Sequence, residues 1–272
     1  MSYPNLAFHT FTNKPWTISE CIENYAQRGI GGISIWKETV AGLDFKKVRQ
    51  QVSDAGLTPV SYVRGGFFTG TTAEARQSAL ADNRQLIRDA VALGLPNIVL
   101  VCGATEGQSP LTNRNQIRDG IAALTEEAAQ EGLELLIEPL HPIYCGNRSA
   151  VPTLKVANDL CQEIGAPNLK IALDVYHVWW DHELENELAR CAKNGWLSAY
   201  HICDFKAEQS DPLLDRGIMG EGCANLAEID KWVMQEHHFK GLREVEIFSA
   251  HWWAQDQNLF LDEILKAYDT VY

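Results

Sequence analysis

Apolar and polar positions along this chain switch between two periods from one end to the other. Short runs rich in Val, Ile and Leu read as buried strands over 5–9, 32–36, 58–63, 97–102, 134–138, 170–174, 197–203 and 243–248. The longer stretches between them carry helical spacing: Ile18, Ile22 and Tyr25 share one face, and Leu80, Ile87 and Val91 share another. Several of these stretches end on a glycine directly before the next strand, as at Gly94 and Gly165. A left-handed helix cap belongs there, and glycine takes it without a Cβ penalty. The 272 residues divided among eight strand–helix units give 34 residues each, the size of one βα repeat. The pattern predicts an α/β protein, one (β/α)8 TIM barrel over residues 1–272 with its site at the carboxyl ends of the strands.

Composition narrows the function. With 23 basic and 36 acidic side chains the net charge is −13, a field that repels phosphate backbones and anionic membrane surfaces. Nucleic acid and membrane are therefore excluded as partners. The 7 cysteines are scattered without a CxxC pair, which argues against a zinc knuckle or redox dithiol. The opening residues show no basic region leading into an apolar core, and no run reaches the ~20 apolar residues of a membrane helix. A cytoplasmic protein is expected.

Candidate chemistry stands where the late strands stop. Leu136-Ile137-Glu138-Pro139, Ala172-Leu173-Asp174, Tyr200-His201-Ile202 and Val245-Glu246-Ile247 each interrupt an apolar run with a group that is costly to bury unless paired or metal-bound. Glu138, Asp174, His201 and Glu246 fall on four successive strands, separated by 36, 27 and 45 residues. Neighbouring strands lie ~4.8 Å apart, so the four side chains can meet. Three carboxylates and an imidazole make a hard, oxygen-rich set, suited to one divalent ion: Mn²⁺ first, with Mg²⁺, Co²⁺ or Zn²⁺ as alternatives.

The segments IEPLHP, LDVYH, YHICD and VEIF resemble those of the xylose-isomerase-like TIM-barrel superfamily of sugar phosphate isomerases and epimerases. The resemblance spans essentially the whole chain. It implies a divalent ion held by Glu138, Asp174, His201 and Glu246, and substrate contact through His177 and an arginine of the loop after strand seven, here Arg216. The endonuclease branch of that superfamily adds histidines on strands three and four. Here those strand ends read Val63-Arg64-Gly65 and Val101-Cys102-Gly103, with no histidine.

The expected reaction is isomerisation or epimerisation of a ketose or keto-sugar derivative. Glu138 and Glu246 serve as acid and base, and the proton moves by way of an enediolate on a metal-polarised carbonyl. The alternative is a lyase (dehydratase, decarboxylase or deglycosylase) acting on a keto-sugar or keto-inositol with the same residues. A non-catalytic sugar-binding subunit is disfavoured, because the four-residue set is intact. His9, Arg64, His141 and Arg148 fall at the same face and are expected to touch substrate, with Trp36 as an apolar wall. No glycine pattern suits a nucleotide cofactor. Nothing resembles a phosphate cradle after strands seven and eight, which points to an unphosphorylated carbohydrate. The aromatic stretch 248–253 can either close the pocket or pair with a second copy of the chain.

Overall fold

In the computed structural model, which describes residues 2–272, parallel strands close into a barrel in chain order. They are β1 (Tyr3–His9), β2 (Ile30–Trp36), β3 (Thr58–Gly66), β4 (Asn97–Val101), β5 (Glu134–Ile137), β6 (Leu169–Asp174), β7 (Leu197–Ile202) and β8 (Arg243–Val245). The helices between and after them are α1 (Ile18–Gln27), α2 (Phe45–Asp54), α3 (Ala73–Leu93), α4 (Pro110–Gln130), α5 (Leu154–Ile164), α6 (Val175–Val178), α7 (Leu184–Lys193), α8 (Leu226–Asp230), α9 (Ala250–Trp253) and α10 (Gln257–Val271). This is the (β/α)8 architecture that the periodicity predicts. Helix starts follow side-chain chemistry: Thr17, Asp44, Thr72, Ser109, Thr153 and Asp256 each accept a first-turn N–H. Gly94 and Gly165 take the left-handed cap, with φ of +74° and +67°. Among the described residues no helix is long and apolar enough to cross a membrane.

Two apolar layers hold the barrel. The larger lies between sheet and helices, where Ile18, Ile22, Tyr25 and Ile87 are buried. The smaller fills the barrel with Val63, Val99, Leu136, Ala172 and Ala199, and Trp36 and Phe248 pack on it. Side chains two residues apart on a strand share a face. Leu136, Ala172 and Ala199 therefore point the same way as Glu138, Asp174 and His201, and the inward face of three strands changes from apolar filler to polar group over one step.

Five strands end elsewhere than the sequence predicts: β4 and β7 stop one residue early, at Val101 and Ile202, and three other ends bear on the site. β8 stops at Val245, because beyond it Glu246 N–H still bonds Ile202 but Ile247 N–H turns to the Thr12 hydroxyl. β5 stops at Ile137, so Glu138 lies just past it while still bonding Leu100 O. β3 runs on to Gly66, which places Arg64 inside the strand rather than at its end.

That extension depends on Gly66. Its φ is +104°, an added Cβ would lie 2.1 Å from Val101 O, and its N–H and carbonyl both bond the Asn83 side chain. Gly66→Ala is expected to cost about 1–3 kcal/mol for the backbone conformation alone, with the clash added. Urea unfolding should show a lower midpoint, and an unchanged midpoint would contradict the account.

Candidate metal and substrate site

Glu138, Asp174, His201 and Glu246 meet at the carboxyl end of the barrel, all buried, with one potential ligand atom from each lying within 4.8 Å of all the others. Strand register brings them together: Asp174 is paired across with His201, and His201 with Glu244. His201 Nδ1 lies 3.1 Å from Glu138 Oε1 and 4.0 Å from Glu246 Oε2. The donor set fits a divalent cation. Burial, with the charges of Glu246 and Glu138 added, pushes the Asp174 carboxyl up to about 7 despite Arg216 beside it. A cation among these oxygens would relieve that repulsion.

Beneath the set lies a carboxylate that the strand-end reading overlooked. Glu244 Oε2 accepts from Ser34 Oγ at 2.5 Å and stands 3.2 Å from His9 Nε2 and 3.8 Å from His201 Nε2. The alternation Glu244-Val245-Glu246 was its signal, since one strand aims both glutamates inward. At 3.8 Å Glu244 makes no hydrogen bond to His201, whose Nε2 has no partner, and acts on that ring through its charge.

His9 is placed differently from expectation. It is fully buried and spans two glutamates, with Nδ1 3.0 Å from Glu246 Oε1 and Nε2 3.2 Å from Glu244 Oε2. It braces Glu246 instead of lining the pocket. The register of β1 with β8, Ala7 opposite Glu244 and Phe8 opposite Val245, puts His9 level with Glu246 and within reach of both glutamates.

Arg216 and His177 come over the top. Arg216 Nη1 donates to Asp174 Oδ2 at 2.8 Å and to Glu246 Oε2 at 3.0 Å. Its guanidinium carbon sits 4.4 Å from the Tyr176 ring centre and 4.9 Å from that of Phe248. The loop carrying it is tied down by Asp204, whose carboxylate accepts from the N–H groups of Phe205, Gly220, Gly222 and Ala224. Asp204 ends the YHICD segment, and its anchoring role was not read from the sequence. Asp174 also caps α6, its Oδ1 accepting from Tyr176 N–H at 2.9 Å, and that turn brings His177 back over the site. The His141 N–H donates to His177 Nδ1 at 3.2 Å. This leaves the ring proton on Nε2, 3.6 Å from Asp174 Oδ2 and 3.3 Å from Arg216 Nη2. Burial and the adjacent Arg216 charge hold His177 neutral, well below the ordinary imidazole range.

Glu138, Glu246, His177 and Arg216 line one narrow pocket. Arg64 and Arg148 line it, and Trp36 forms a wall that is stacked on Phe11 with ring centres 4.5 Å apart. His141 stands off to the side: its ring stacks on Phe205 at 5.4 Å and its Nδ1 accepts from Ile143 N–H. It shapes the loop through which its backbone holds His177. The aromatic stretch after β8 packs within the chain, Trp252 against Phe260 and Trp253 Nε1 on the carbonyls of Phe11 and Thr12.

A closed (β/α)8 barrel brings three carboxylates and a histidine together at one mouth, in a donor set that could hold a metal ion. The sequence profile of the xylose isomerase-like TIM barrel family matches residues 22–264, and the chain belongs to that family. Protein SMc04130 from Sinorhizobium meliloti 1021 is similar over 98% of each chain at 36% identity, with a TM-score of 0.94. The IolI protein with a bound zinc atom shares the fold at 18% identity and TM-score 0.85, over 98% of this chain and 97% of that one. So does the 3-keto-D-glucoside 4-epimerase YcjR from E. coli, at 18% identity and TM-score 0.76, over 96% and 99%. Among curated proteins none is similar enough in sequence to count as a match.

Proposed function

We propose that this protein is a divalent-metal-dependent isomerase or epimerase of a keto-sugar derivative. The observation that carries the reading is the convergence of Glu138, Asp174, His201 and Glu246, two of whose carboxylates also line the substrate pocket. The same fold holds zinc in IolI and serves a keto-glucoside epimerase in YcjR, and the oxygen-rich set here suits Mn²⁺ ahead of Mg²⁺, Co²⁺ or Zn²⁺. When bound, such an ion supplies Lewis acidity to neighbouring carbonyl and hydroxyl oxygens.

The protein's own groups do the rest. Despite its burial, Glu246 is held ionised by His9 and Arg216, so it is the group ready to take a proton from the carbon beside the carbonyl. Glu138, which has no arginine partner among the described residues, returns a proton at the neighbouring carbon or on the opposite face. Arg216 Nε is buried without an acceptor, and with the Nε2–H of His177 it can donate to substrate oxygens. Trp36 and Phe248 screen the reacting carbon from water.

Proton NMR in D₂O, with metal-loaded protein and a panel of ketoses and keto-sugar acids, tests the reading. Deuterium should enter the C–H beside the carbonyl while the carbon skeleton and oxygens are retained. Loss of water, carbon dioxide or an aglycone would instead make this barrel a lyase.

A further inference from the structure

Three arginines face one small pocket, and only Arg216 is neutralised. Its partners are Asp174 and Glu246. Among the described residues, Arg64 and Arg148 form no ion pair and no hydrogen bond through their guanidinium groups. Aromatic faces hold them instead. Arg64 lies 5.6 Å from the Trp36 ring centre and 5.1 Å from that of Phe67, and Arg148 lies 5.9 Å from that of Tyr144. Such contacts fix a cation in place but leave its N–H groups unspent. Arg64 Nε is buried with nothing to accept its proton.

This is unexpected in a chain with 36 acidic and 23 basic side chains, where a carboxylate could readily have been placed beside each arginine. The cluster also repels itself: burial, then the charges of Arg64 and Arg216, weakens the hold of Arg148 on its proton. The charge balance of the pocket points the same way. With a divalent cation bound, that ion and Arg216 would together offset Glu138, Asp174 and Glu246. Even with Glu244 below counted as uncompensated, Arg64 and Arg148 leave a positive excess. The other lining groups, Val101, Leu140, Tyr144 and Leu213 among them, are uncharged.

We infer that Arg64 and Arg148 form an oxyanion subsite beside the metal set, and that the substrate is an anionic keto-sugar carrying a carboxylate or a phosphate. The inference names the substrate class for the proposed reaction and rests on that reading for the word keto-sugar. The anion subsite itself does not. The guanidinium forks of two arginines match the oxygens of either anion, while a neutral hydroxyl would leave both charges unpaired.

The test is isothermal titration of the metal-loaded protein with three carbon-matched probes: D-fructose, 2-keto-D-gluconate and D-fructose 6-phosphate. At least one anionic probe should bind 10-fold or more tighter than fructose, and which one does identifies the anion. Arg64→Met and Arg148→Met, which keep side-chain length, should each weaken that probe by about 10- to 100-fold, the range of charged hydrogen bonds. The preference over fructose should shrink accordingly, while metal stoichiometry stays at the wild-type value. Equal affinities for all three probes, or an anion preference that survives both substitutions, would overturn the subsite. Retained metal shows that the variants are folded, and Arg→Lys at each position should recover part of the preference. Deuterium exchange with the same probes reports separately on the reaction. Anion binding without exchange would remove the isomerase reading and keep the subsite.

Discussion

Replacing Glu246 by glutamine is expected to lower turnover of the exchanging substrate by about 10³-fold, within the 10²–10⁴ range of general acid–base contributions, and to weaken metal binding as well. Glutamine keeps the shape but can neither take a proton nor offer a charged ligand oxygen. The carboxylate it replaces lies 3.0 Å from both His9 Nδ1 and Arg216 Nη1. The loss in metal affinity should exceed the ~10–100-fold typical of removing a group behind a ligand. Elemental analysis after dialysis and kcat on the substrate found by NMR measure both effects, and a circular dichroism spectrum checks the fold. A variant with wild-type turnover would remove Glu246 from the chemistry.

The second large effect is that of pH on metal uptake. Without metal, burial pulls the His201 imidazole down. The Glu138 hydrogen bond and the charges of Glu244 and Glu246 outweigh it, and His201 is pushed up to about 10. Asp174 is pushed up to about 7. A cation must bind both groups proton-free, so acid opposes binding. The four side chains titrate as one unit, which fixes the sign of the dependence and the two windows. Below about pH 7 two protons are displaced and affinity should rise close to 100-fold per pH unit. Between about 7 and 10 one proton is displaced and the rise should be about tenfold per unit. Competition with a chelator across pH 6–9, with proton release read by calorimetry in buffers of different ionisation heat, measures the slopes. An affinity flat across that range would show that His201 and Asp174 do not ligate.

Much of the site follows from strand periodicity. Leu136–Glu138, Ala172–Asp174 and Ala199–His201 are steps of two along one inward face, so the place where filler gives way to polar groups can be read directly from residue order. The same rule reveals Glu244 ahead of Glu246 once both are read on the inward face of β8. The loop arginine needed more than periodicity, because the position of Arg216 depends on Asp204, 12 residues earlier, gathering the N–H groups of Gly220, Gly222 and Ala224.

What the residue order determined by itself was local: eight alternating units, the helix caps, the inward face of each strand and the four polar groups that end it. These depend on dihedral preferences and side-chain alternation within a few residues. The tertiary structure alone decided that His9 is held between two glutamates and does not line the pocket. It also decided that Glu244 backs His201, and that Arg64 from β3 and Arg148 from the loop after β5 face the same cavity without a counter-charge. Those facts depend on inter-strand register and on how far each strand runs before it leaves the sheet. Hydrogen bonds between segments tens to hundreds of residues apart set both, and no local pattern encodes which partner each segment meets.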